Sequence, residues 1–137
     1  MPLQQGDTLL NGHYRITRLL GRGGFGFVYL AEDVLLAEQV AVKELIPALV
    51  GDAEMLKRFL AEAKATMRLA HDHIVRTHNV VADHGNYYII MEYMAGGTLE
   101  ERLASGVSFP VEECVRVGAE VAAALAYAHA HGVVHCD

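Results

Sequence analysis

The feature that most limits what this chain can fold into is the run Gly21-Arg22-Gly23-Gly24-Phe25-Gly26, followed by Phe27-Val28. It fits the spacing G-x-G-x-x-G-x-V. Glycines let a backbone approach another group closely and leave amide N–H groups free to donate to an anion such as a phosphate. Alone, the run also fits a glycine-rich hairpin turn. A dinucleotide-binding loop requires a helix directly after the glycines. Here Phe27-Val28-Tyr29-Leu30-Ala31 follows, aromatic and β-branched, and reads as a strand. Before the glycines, Tyr14 to Leu20 reads as a strand too. The run therefore joins two strands.

The rest of the chain alternates in the same way and then changes character. Gln39 to Leu45 is a third strand. Gly51-Asp52 opens a helix that Asp52 can N-cap, with Leu56, Phe59, Leu60, Ala63, Met67 and Ala70 on one buried stripe. Thr77 to Ala82 and Tyr87 to Tyr93 read as a hairpin around the turn Asp83-His84-Gly85-Asn86. After Gly96-Gly97 only helices are expected: a short one over Thr98 to Ala104, and a long Ala-rich one with Ser108 as N-cap and Pro110 in its first turn, stopping at Gly132. The pattern predicts an α+β chain of two unequal parts, a five-stranded antiparallel sheet with one helix and then helices alone. The seam falls near Met94 to Gly97.

Charge and cysteines narrow the function class. The 137 residues carry 17 acidic and 11 basic side chains, a formal net charge of -6. Nucleic acid and anionic membranes both reward a basic face, so neither is expected as the main partner. Cys114 and Cys136 have no CxxC spacing, which fits a reducing compartment. No signal peptide and no uncharged apolar run of about 18 residues is visible. The expected setting is cytoplasmic.

Two further residues bear on the glycine run. Lys43 ends Val40-Ala41-Val42-Lys43 on an apolar strand. By itself it could be an edge lysine that discourages aggregation; after a glycine loop it reads as a cation over nucleotide phosphates. Glu62 lies at the margin of the helix stripe, where a carboxylate can be solvated or can orient that lysine as an ion pair.

Taken together, the glycine loop, Val40-Ala41-Val42-Lys43, Glu62, Met91-Glu92-Tyr93-Met94-Ala95-Gly96-Gly97 and His135-Cys136-Asp137 resemble, in order and spacing, the N-terminal half of a eukaryotic-type protein kinase. The likeness is greatest to bacterial Ser/Thr kinases, and Ala31-Glu32-Asp33 and Val133-Val134-His135 add to it. The resemblance implies a partial kinase domain over 1–137: a small lobe at about 14–94, the hinge end at 95–97, and the start of the large lobe at 98–137. It implies ATP as cofactor and transfer of its γ-phosphate to Ser or Thr hydroxyls of protein substrates. The alternative is a non-catalytic nucleotide-binding or protein-interaction module.

The same resemblance assigns roles. Gly21, Arg22, Gly23, Gly24, Phe25 and Gly26 would cover the ATP phosphates. Val28 and Ala41 would sandwich the adenine. Lys43 would bind the α- and β-phosphates and pair with Glu62, and Met91 matches the gatekeeper. Glu92, Tyr93 and Met94 would form the hinge beside the adenine edge, with Thr98 near the ribose. Asp137 matches the catalytic aspartate. No metal ligand is assigned within the chain: the Mg2+-holding residues of the family, with the activation loop, are expected beyond residue 137, and the chain alone is expected to be inactive. The histidine groups His71, His73, His78 and His129, His131, His135 lack a recognised metal-ligand spacing.

One departure carries a consequence. The family's H-R-D reads His135-Cys136-Asp137. That arginine contacts the phosphorylated activation loop, and a cysteine cannot make a bidentate charge-assisted pair. Removing activation-loop phosphates from a full-length parent should therefore leave most activity intact. Phosphatase treatment followed by an activity assay checks this; a fall to a few per cent of the starting rate would contradict it.

Overall fold

The computed structural model describes residues 2–23 and 26–135. Their elements in order are β1 (Thr8–Leu9), β2 (Tyr14–Arg22), β3 (Gly26–Asp33), β4 (Glu38–Leu45), α1 (Ala53–Met67), β5 (Thr77–Asp83), β6 (Asn86–Glu92), α2 (Leu99–Ala104) and α3 (Val111–Ala130). They fall into two compact units, one running to Arg68 and resuming over Arg76–Tyr93, the other made of Leu69–Val75 and the chain from Met94 onward.

The first unit is a six-stranded sheet of order β1-β2-β3-β4-β6-β5. Each pairing among these strands is antiparallel. The sheet thus has one strand more than the five expected. The extra strand, Thr8–Leu9, pairs with Tyr14–Arg15. Two residues are too few to show the period-2 alternation by which a strand is read. The sharp return between them is made by Leu10, Asn11 and Gly12, all at positive φ. At the other hairpin, His84 and Gly85 both have positive φ, as a two-residue turn between right-twisted strands requires.

The two sheet faces have different cores. On one, Leu45 and Ile89 pack with Phe59 and Ala63 of α1. Asp52 caps α1 by accepting from the Glu54 and Met55 amides. The helix ends at Met67, which is half exposed, so the predicted stripe stops at Ala63 and does not reach Ala70. The other face carries Ile16, Phe27, Tyr29, Val42, Val81, Tyr88 and Ile90, covered by Leu9 from the N-terminal segment.

That second core contains a charge-bearing group. Glu44 is 1% exposed. It accepts from Tyr29 Oη at 2.9 Å and from Asn86 Nδ2 at 2.7 Å. Burial pushes its carboxyl above the ordinary value, and the two hydrogen bonds act against that. Burial, then Glu44 nearby, pushes the Tyr88 phenol up to about 12. Among the described residues, Asn86 Oδ1 is buried without a partner.

In the second unit Thr98 caps α2, accepting from the Glu101 amide while the Glu101 carboxylate accepts from the Thr98 amide. The long helix starts after Pro110, which is its N-cap and lends no side-chain bond. Ser108 is therefore not the cap. Pro110 holds the extended φ and ψ of a cap itself, so the first helical residue is Val111. Tyr127 of α3 accepts from the Ala70 amide at 3.2 Å, and its ring lies between those of His71 and His131. Among the described residues, no helix is long and apolar enough to cross a membrane.

Two measurements test this packing. Glutamine at 44 can accept from Tyr29 and, with the Asn86 amide turned over, donate to Asn86 Oδ1. We expect Glu44→Gln to raise stability at pH 7–8 by about 1 kcal/mol, because no charge is then buried. Because Glu44's folded value is raised, its contribution is fully present below the ordinary 4.5 and lost as pH rises through the raised value. The gap between variant and parent should thus close as pH falls toward 4.5 in thermal melts. Separately, Val111, Val115 and Val121 of α3 are each at least half exposed. The purified chain should bind a hydrophobic dye and self-associate; a monodisperse, dye-silent monomer in light scattering is the contrary result.

Candidate functional site

The pairing of β3, β4 and β6 puts four of the sequence-predicted residues on one sheet face. Val28 lies opposite Lys43, and Lys43 opposite Ile89. Ala41 lies opposite Met91. Directly opposed residues in an antiparallel pair share a face, and so do residues two apart along a strand. Val28, Ala41, Lys43 and Met91 therefore form one patch, on the face that α1 covers with Phe59 and Ala63. Ala41 is 7% exposed; Val28, Lys43 and Met91 are half-buried.

The glycine loop connects β2 to β3, with Gly21 opposite Val28. The Gly23 amide donates to the Gly26 carbonyl at 2.8 Å and closes the loop at its base. At Gly26 the need for glycine is close approach: a Cβ there would run into the backbone carbonyl oxygen of Glu44. Arg22 stacks its guanidinium over Phe27, 4.8 Å from the ring centroid. Gly24 and Phe25 lie outside the described residues, and so do Cys136 and Asp137.

Lys43 Nζ donates to Glu62 Oε1 at 2.7 Å. The lysine side chain is 17% exposed and the glutamate 46%. The pair joins the central strand to the helix, across 19 residues of sequence. At this exposure an ion pair contributes at most about 1 kcal/mol. Phe59, 1% exposed, dominates instead, since truncating such a residue costs about 3–5 kcal/mol. The helix is thus seated by Phe59, and the ion pair directs the ammonium. Chemically, the patch offers a fixed cation beside an apolar wall, at the base of a glycine loop.

At the end of β6, the Glu92 amide donates to the Arg76 carbonyl at 2.9 Å and the Glu92 carboxylate accepts from the Arg76 amide. Tyr93 is half-buried. Met94 and Thr98 are exposed residues of the second unit. There the Thr98 hydroxyl oxygen is engaged as the α2 cap.

Residues 14–137 match the model of the protein kinase domain. The chain belongs to the protein kinase family. The serine/threonine-protein kinase PrkC of Bacillus subtilis is 36% identical over 128 residues, 93% of this chain and 20% of PrkC. The CBL-interacting protein kinase 4 of rice, Oryza sativa, is 43% identical over 96% of this chain and 30% of its own length. The crystal structure of the Mycobacterium tuberculosis PknI kinase domain superposes with a TM-score of 0.81 at 33% identity, covering 99% of this chain and 54% of that one. This kinase chain therefore spans about half of a solved kinase domain and under a third of these curated relatives.

Sequence reasoning did not single out Glu44 or Asn86. A glutamate next to the strand lysine looks like an ordinary exposed strand residue. The available signal was its register: in a strand with Lys43 on one face, Glu44 must point to the other.

The kinase site yields a paired expectation. Glu62→Gln should lower the melting temperature by no more than about 3 °C, as befits a half-exposed pair. Phe59→Ala should lower it several times further. Equal losses in thermal melts would contradict the division of labour between the two residues.

Proposed function

We propose that this chain is the ATP-binding N-terminal part of a Ser/Thr protein kinase, whose parent transfers the γ-phosphate of ATP to protein Ser or Thr hydroxyls. The observation that carries this reading is the Lys43–Glu62 bond on the same sheet face as Val28, Ala41 and Met91. The curated bacterial relatives are serine/threonine-protein kinases by name, which supports the Ser/Thr assignment.

In this reading Ala41, small and buried, leaves room for the adenine ring, and Val28 closes on it from the loop side. Met91 forms the back wall. The Glu92 amide is committed to Arg76, so any hinge contact by Glu92 falls to its carbonyl. Tyr93 and Met94 are assigned to the hinge, and Thr98 is assigned to the ribose. The backbone of the loop from Gly21 to Gly26 covers the phosphates. Lys43, steered by Glu62, sets its ammonium against the α- and β-phosphates. Such a fixed charge stabilises a phosphoryl-transfer transition state without reorganising during the reaction. Asp137 is assigned to orient the substrate hydroxyl and take its proton.

Mg2+ accompanies ATP in this family and neutralises charge on its phosphates. Among the described residues, no three His, Cys, Asp or Glu side chains gather to hold a metal. Its protein ligands are assigned to the domain's second half.

The test is direct. A fluorescent ATP analogue should bind the chain. Lys43→Met should weaken that binding at least about tenfold, equivalent to about 1.4 kcal/mol, while leaving the melting temperature nearly unchanged. Binding insensitive to Lys43, or none by the parent chain, would overturn the reading.

A further inference from the structure

The sheet face opposite Lys43 is crossed by the N-terminal segment, which is tied down at both ends. Near its start, the Leu3 amide donates to Tyr29 Oη at 3.0 Å. Further along, the Gly6 amide donates to the Ile16 carbonyl at 2.9 Å, and the Ile16 amide returns a bond to the Asp7 carbonyl at 2.8 Å. At its far end the Leu10 amide donates to Asp83 Oδ2 at 2.9 Å. Leu9, 2% exposed, fills the core between these ties. The segment is a strap over the two strands that carry the glycine loop, since Ile16 is on β2 and Tyr29 on β3.

Tyr29 is where the strap meets β3, on the face opposite Lys43. Its hydroxyl has one proton. Donating it to Glu44 Oε2 at 2.9 Å leaves the oxygen's lone pairs turned to the strap, where the Leu3 amide uses one. Glu44 is the neighbour of Lys43 on the same strand, pointing to the opposite face. A continuous run of hydrogen bonds thus leads from Leu3 through Tyr29 to Glu44, one residue from the lysine that bonds Glu62. The ring of Tyr29 is 1% exposed, so its hydroxyl is held in place by packing.

We propose that Tyr29 is a positioning residue for the glycine loop: its hydroxyl, gripped by Glu44, fastens the N-terminal strap across β2 and β3 and so fixes how closely the loop covers a nucleotide. The consequence rests on the ATP reading above; the fastening itself does not. Without the hydroxyl, Leu3 loses its acceptor and Glu44 one of its two side-chain donors. The strap then lifts at its start, and β2 is left with unpaired groups at Ile16.

The test uses Tyr29→Phe, which keeps the ring and removes the oxygen. In hydrogen exchange, the Gly6 and Ile16 amides should exchange at least about tenfold faster in the variant, while the amides of β5, β6 and α1 keep their parent rates. Affinity for the fluorescent ATP analogue should fall about three- to tenfold, or about 0.7–1.4 kcal/mol. Val81→Ala is the control: Val81 is a buried member of the same core on β5, separated from the strand of Tyr29 by β4 and β6. At a matched loss of melting temperature it should leave analogue affinity unchanged. Deleting residues 2–7 should reproduce the Tyr29→Phe loss, and the two changes combined should cost no more than either alone. Unchanged exchange at Gly6 and Ile16 would overturn the fastening. Equal weakening by Val81→Ala, or additive losses in the combined variant, would overturn the positioning role. A parent chain that binds no analogue would overturn the ATP reading and the nucleotide consequence together, with the exchange result still deciding the fastening.

Discussion

The register of β4 is the constraint on which the rest of the first unit depends. This strand is paired on both sides, with β3 and with β6. Its side chains alternate, so Ala41, Lys43 and Leu45 face α1 while Val40, Val42 and Glu44 face the strap. A slip of one residue would exchange the two sets. It would put Glu44 where Lys43 stands and bury the lysine in the core of the opposite face. Gly26 helps to hold the register, because only a residue without a Cβ lets β3 come so close to the Glu44 carbonyl.

The two charged residues at the centre of that strand are treated in opposite ways. Lys43 keeps partial contact with solvent and meets a half-exposed partner, so its ion pair contributes little to stability and its use is directional. Glu44 is removed from water and held by neutral donors, with its carboxyl pushed upward by burial. A buried carboxylate whose hydrogen-bond donors are neutral is a poor stabiliser. What the residue provides is a fixed acceptor that orients the Tyr29 hydroxyl and the Asn86 amide. Both residues therefore organise the sheet's surroundings more than they strengthen it.

Much of the candidate site was legible because its parts are local. The strands on either side of the glycines, the strand that carries Lys43, the α1 cap at Asp52 and the turn at His84-Gly85 each depend on a few adjacent residues. What was missed depends on distant ones. Thr8–Leu9 becomes a strand only through its pairing with β2. Ser108 has a cap's chemistry, but the cap position goes to Pro110. Met67 continues the apolar spacing of α1, yet it is half exposed at the helix end. The burial of Glu44 comes from Tyr29, 15 residues earlier, and Asn86, 42 residues later.

By itself, the sequence determined the order of the elements from β2 onward and the residue types gathered around Lys43, because glycine spacing, strand alternation and helix caps act over a few residues. It also determined that Lys43 and Glu44 lie on opposite faces, because a strand has a period of two. Only the tertiary structure decided which face each would see. α1 seats on one side through Phe59 and brings Glu62 to the lysine; the N-terminal strap closes the other and buries the glutamate. The side-chain hydrogen bonds among them join residues 15 to 73 positions apart. The free energy that selects them belongs to packing in three dimensions, which no local pattern records.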